Sequence, residues 1–209
     1  MRPTMRPTLL IIDPGHGSST PGKRSPDNSL QEWSNNRELA GTLSSAAQRA
    51  GMSTYLTVND TSDPPLKRRA QLANQAARAI KTSNPDGCSV FVSLHSDASG
   101  DGSWMPARGF SVWTTTAQNN SDKLAHCIWD SVEPLSKKWA FPMRSFSPTE
   151  PDFESNFTVI FKANMPAVLV EDLFHDNHDD VCLLKNPEFL LDIANGICSG
   201  VLKFTQNQL

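Results

Sequence analysis

The 209-residue chain is 38% hydrophobic and 20% charged, with a net charge of −3, which is the profile of an ordinary globular domain. That balance argues against a protein whose main business is gripping nucleic acid or anionic lipid, and no apolar run approaches a membrane span. A chain of this length buries enough surface to fold without a metal or disulfide. The four cysteines, Cys88, Cys127, Cys182 and Cys198, fall into no metal-binding spacing and read as buried free thiols.

The opening residues repeat the tetrapeptide Met-Arg-Pro-Thr. They lack the apolar stretch of a signal peptide, so the expectation is a soluble chain made in the cytoplasm, with no stable membrane insertion. Leu9–Ile12 is a short apolar run stopped by Pro14-Gly15, a strand that ends abruptly with His16 set between two glycines. Ser18 to Gln31 is a polar loop without periodicity. Helical spacing runs from Trp33 through Leu39, Leu43 and Ala47 to Ala50, closed by Gly51. Met52–Val58 alternates as a second strand, and Leu66–Lys81 is an amphipathic helix.

Cys88–Leu94 reads as a third strand ending on His95, followed by a small, polar loop from Ser96 to Arg108. Gly109–Thr115 is a fourth strand and Asn120–Val132 a helix. Glu133 to Glu154, with four prolines, is an irregular excursion. Phe157–Phe161 and Ala167–Glu171 read as two more strands, and Asp179 to Phe204 as helix broken near Pro187. The alternation of strands and helices predicts an α/β fold: three layers, a twisted, mostly parallel sheet of about six strands with helices on both faces. No linker divides the chain, so residues 1–209 are expected to form one domain with an ordered core over about 8–205.

Ligands of open α/β sheets bind beyond the carboxyl ends of the strands, and three strands end there on His16, His95 and Glu171. Two neutral imidazoles and a carboxylate are the donor set of a mononuclear zinc hydrolase, which leaves a position for water and needs a further carboxylate to move the proton. Five blocks then occur in order: Asp13-Pro14-Gly15-His16-Gly17, Glu32 four residues before Asn36, and Leu66-x-x-Arg69-x-x-x-Ala73-Asn74. Ser93-Leu94-His95-Ser96-Asp97-Ala98 and Pro166–Glu171 with Phe174 and Asn177 follow. Together they resemble the zinc-dependent N-acetylmuramoyl-L-alanine amidases, the group of bacterial cell-wall amidases and phage endolysin catalytic domains.

The resemblance implies Zn2+ held by His16, Glu32 and His95, with Glu171 as general base and acid. Its substrate would be the amide between N-acetylmuramic acid and L-alanine in peptidoglycan. Glu38 competes with Glu32 but lies about two turns further on, and Asp13 reads as a residue that orients a ligand histidine. Asn74, Trp104 and Arg144 are candidate substrate contacts, Arg144 through a peptide carboxylate. Between Glu171 and Asp180, His175 and His178 stand among acids; a solvated, capped helix start is expected there. Leu173 stands where the resemblance expects glycine, which leaves the shape of that turn open. The expected partner is peptidoglycan, not nucleic acid, and a monomer is expected. A non-catalytic zinc-containing muropeptide-binding module and a zinc hydrolase of another amide are the competing readings.

Overall fold

A computed structural model describes residues 7–206. Six strands form one sheet: β1 (Thr8–Pro14), β2 (Ser53–Leu56), β3 (Cys88–Asp97), β4 (Ser111–Thr114), β5 (Phe153–Glu154) and β6 (Ala167–Phe174). Their order is β2-β1-β3-β6-β4-β5. All pairings are parallel except β4 with β6. Between the strands run α1 (Glu32–Arg49), α2 (Leu66–Ser83), α3 (Asn120–Trp139) and α4 (Thr158–Phe161), with α5 (His178–Leu184) and α6 (Pro187–Gln206) closing the chain.

Side chains alternate across a strand, and that period sorts the core into two layers. Leu10, Ile12, Val90, Val92, Leu94, Val168 and Val170 pack with the apolar faces of α1, α3 and α6. Leu9, Ile11, Phe91 and Leu169 pack on the other face with residues of α2 and α4. The three-layer α/β architecture expected from the sequence is therefore the one observed.

Three expectations need correction. Phe157–Phe161 is not a strand: Thr158–Phe161 makes one helical turn, because Val159 and Ile160 are both buried against the same cluster, which strand alternation forbids to neighbours. The sixth strand is instead the two-residue β5, inside the stretch read as irregular. The helix expected to stop at Val132 runs on to Trp139 through Pro134. The apolar face continues through Leu135 and Trp139, and Pro134 is exposed, so the carbonyl it leaves unpaired faces water. Of the cysteines, all free, only Cys198 is buried, and Cys182 is exposed. The break near Pro187 occurs as expected, with proline at the first position of α6. Residues 1–6, which hold most of the repeated tetrapeptide, lie outside the described residues.

Candidate metal centre

β1 ends at Pro14 and its chain turns sharply, with His16 at φ +62°, a left-handed conformation that costs a non-glycine residue free energy. Two arginines hold it there. Arg37 donates to the carbonyl oxygens of Pro14 (2.7 Å), Gly15 (3.2 Å) and His16 (2.7 Å). Arg69, 1% exposed, donates to those of Pro14 (2.7 Å) and His16 (3.0 Å) and to Asp13 (3.0 Å). With its carbonyls turned to the arginines, the turn leaves the imidazole free for the cleft. Gly15 is needed for a different reason: a Cβ there would stand 2.2 Å from the His95 ring.

Glu32 is the first residue of α1, where the helix dipole favours a negative charge. It is fully buried. Its Oε1 lies 3.2 Å from His16 Nε2 and 3.2 Å from His95 Nδ1, and it accepts from the Ser96 N–H. Burial alone would raise the Glu32 carboxyl, but its contacts with His16 and His95 outweigh that and hold it below the usual carboxylate range. The ligand atoms of His16, Glu32 and His95 all lie within 4.8 Å of one another, a group that could hold a metal ion. Glu32 Oε2 is buried without a hydrogen-bond partner and lies 4.0 Å from the Lys23 ammonium. Glu38 is exposed on the far side of the helix.

Glu171 sits in β6 directly across from His95. Burial, followed by the charges of Glu32 and Asp97, pushes its carboxyl well above the usual range, and Lys23 and Arg144 oppose that. Its Oε2 has no partner. The arrangement thus supplies a three-donor cation site and, beside it, a carboxyl able to hold or release a proton. A cleft of about 290 Å³ opens next to it, lined by Gly15, His16, Pro64, Leu66, Arg69 and His95. A larger hollow of about 580 Å³ lies at the other end of β3, near Cys88, and contains none of these groups.

The remaining sequence candidates separate. Arg144 pairs with Asp97 at 3.1 Å, and its charge reaches Glu171. Asn74 does not join the cluster: its amide donates to the Lys162 carbonyl and accepts from the Asn164 N–H, both at 2.8 Å, tying α2 to the turn before β6. Trp104 is stacked on His178 with centroids 3.6 Å apart, which uses its face to pack the Ser96–Arg108 loop against α5. The acidic stretch also departs from a solvated helix start. Asn177 does cap α5, accepting from the Asp179 and Asp180 N–H groups, but His175, Asp176 and Asp180 are buried. His175 Nδ1 lies 2.9 Å from the Ser96 carbonyl and 3.7 Å from Glu32 Oε2. In the turn itself Leu173 adopts φ +64°, a left-handed conformation that glycine takes at no steric cost.

Sequence reasoning missed Arg37 and the burial of His175. Arg37 looks like any polar position of an amphipathic helix. His175 follows the left-handed Leu173, which breaks the strand alternation that would have marked it as buried.

Residues 10–203 match the family described as N-acetylmuramoyl-L-alanine amidase. The endolysin of Bacillus phage SPP1 is 28% identical over 197 residues, covering 92% of this chain and 64% of that protein. The amidase CwlM of Bacillus licheniformis is 28% identical over 196 residues, covering 93% and 67%. The chain thus spans about two thirds of the length of these two relatives, and 53% of the Neisseria meningitidis amidase AmiC. Among solved structures, an N-acetylmuramoyl-L-alanine amidase from Clostridium difficile 630 superposes with a TM-score of 0.81 at 26% identity. It covers 98% of this chain and 100% of its own.

Proposed function

The chain belongs to the N-acetylmuramoyl-L-alanine amidase family, and from that premise we propose that it hydrolyses the amide between N-acetylmuramic acid and L-alanine in peptidoglycan, with Zn2+ held by His16, Glu32 and His95. The observation that carries the reading is the meeting of those three donors at one strand edge with Glu171 across from His95. Two nitrogens and a carboxylate oxygen fit zinc, and Glu32 Oε1 faces both imidazole nitrogens at 3.2 Å. Zinc there would supply a Lewis acid that polarises the amide carbonyl and acidifies water.

The protein's own groups do the rest. Arg37 and Arg69 fix the His16 backbone, and the Ser96 N–H fixes the Glu32 carboxylate, so the donors need no rearrangement on binding. Glu171 Oε2, free of internal partners, takes the proton of the attacking water and returns it to the departing alanine nitrogen. Every one of these groups comes from a single chain, in keeping with a monomer that acts at the cell wall. Among the described residues no helix is long and apolar enough to cross a membrane.

Digestion of purified peptidoglycan with product separation by mass tests this. Stem peptides with a new N-terminal alanine are expected, without new reducing sugar ends; reducing ends in their place would overturn the assignment. Glu171→Ala is expected to keep its zinc and lose about 10²- to 10⁴-fold in turnover, whereas His95→Ala loses the zinc. Full activity in Glu171→Ala removes the proton-transfer role, and zinc-loaded wild type that binds muropeptides without cleaving them is a binding module instead.

A further inference from the structure

Arg144 is held by contacts from several elements. Its backbone N–H donates to the Phe110 carbonyl at 2.8 Å, and its carbonyl accepts from the Trp129 indole at 3.1 Å. The guanidinium carbon lies 4.8 Å from the Phe174 ring centroid and 5.5 Å from that of Phe153, and Nη1 donates to Asp97 Oδ2 at 3.1 Å. Cation–aromatic contacts of this kind hold a planar guanidinium in one orientation. Among the described residues neither Nε nor Nη2 donates to an acceptor, and the side chain is 33% exposed.

Position gives those spare donors a direction. Asp97 lies two residues past His95 in β3, Phe174 three past Glu171 in β6, and the two face each other across the pairing. The positive charge of Arg144 is felt by Glu171. Glu32, Asp97 and Glu171 make the immediate surroundings acidic; Lys23 stands 4.0 Å from Glu32 Oε2 and its charge also reaches Glu171, while Arg37 and Arg69 are committed to the backbone carbonyls of the His16 turn. An anionic substrate group entering beside Glu171 meets in Arg144 a cation already oriented, with N–H groups to spare.

We propose that Arg144 is a specificity-determining residue that binds a carboxylate of the stem peptide, so that the enzyme prefers acidic stem peptides over otherwise identical amidated ones. This rests on the amidase reading. A carboxylate is the ligand indicated because two adjacent N–H groups of a fixed fork match its two oxygens. The aromatic contacts and Asp97 have already removed the rotamer freedom that such a contact normally costs.

The test uses two soluble N-acetylmuramoyl peptides of the same sequence, one with free carboxylates and one with carboxamides, and the zinc-loaded enzyme. The wild type is expected to favour the acid by about 10- to 100-fold in kcat/KM, as for a hydrogen-bonded charged contact, through KM and not kcat. Arg144→Gln erases the preference, and Arg144→Lys, a point charge without the fork, restores part of it. A wild type that cleaves both substrates equally overturns the proposal and leaves the amidase reading intact, whereas cleavage of neither overturns that reading. An Arg144→Gln enzyme with normal zinc content that loses both activities in equal proportion also overturns the proposal, because the arginine is then only structural.

Discussion

On the β1 flank of the cleft Asp13 and Arg69 are each 1% exposed, and their charged atoms are used. Asp13 accepts from Arg69, Ser93 and Thr57, and Arg69 also reaches the carbonyls of Pro64, Pro14 and His16 and the Asp63 carboxylate. On the β6 flank Asp172 is just as buried, yet neither of its oxygens has a partner, and Glu171 Oε2 has none either. Low local dielectric strengthens a satisfied network and penalises an orphaned group. One flank thus holds its charges in a satisfied network, as a metal ligand's support must; on the other, burial raises the carboxyls of Glu171 and Asp172 above their usual range. Asp13, Arg69 and Asp172 are equally buried, and hydrogen-bond satisfaction separates them.

The largest expected effect lies on the paired flank. Arg69→Met leaves the Asp13 charge buried with only hydroxyl donors and releases His16 from its left-handed turn. Breaking a buried pair from one side costs about 3–5 kcal/mol, read as a shift of the denaturant midpoint, and zinc affinity is expected to fall with it. Adding Asp13→Asn recovers part of the stability, since the orphaned charge is gone. A loss below about 1 kcal/mol in the single variant would mean that water or a neighbour replaces the arginine, and the contrast between the flanks collapses.

The unpaired flank is expected to respond to pH. Burial, then the nearby Asp180 charge, lifts the Asp172 carboxyl from 3.8 to about 8. The unfolded chain releases this proton near pH 4 and the folded one only near 8, so between those values the folded state binds more protons. Stability from this group is therefore lost steadily as pH rises across that window and is level below it. Asp172→Asn removes the titration; because its carboxamide is also buried without partners, the net gain at pH 7 is roughly 2–4 kcal/mol. Thermal unfolding of the two proteins at pH 5 and pH 8 checks this. The gap must widen with pH, and a constant gap would place a partner or water on Asp172.

How much of this the sequence disclosed follows the same division. The strands that build the sheet centre were legible because each alternates two buried faces over enough residues, as Leu9–Ile12 and Ala167–Glu171 do. The two-residue β5 carries no period at all, and Val159-Ile160 mimics a strand while packing as a turn. His16, Glu32, His95 and Glu171 stood out by residue type and order. The supports around them did not: Arg37 acts through carbonyl oxygens that no side-chain pattern records, and the burial of His175 depends on a positive φ at Leu173 that leucine does not announce. Asn74, within a recognisable block, could read as a substrate contact or as a turn-bonding residue, and only its two backbone partners, Lys162 O and Asn164 N, show what its amide holds.

Asn74 gives the smallest effect and tests that last distinction directly. Its amide bridges two backbone groups, Lys162 O and Asn164 N, on a turn where both residues are exposed, so water can replace it at both. Asn74→Ala is accordingly expected to cost about 1 kcal/mol, the net worth of exchangeable hydrogen bonds, with zinc content and turnover unchanged. The readout is thermal unfolding set beside hydrolysis of a soluble muramoyl peptide. A fall in turnover at unchanged stability would make Asn74 a contributor to the substrate groove, although its amide ties α2 to the turn before β6 and the hollow that it lines is at the other strand end from the cleft.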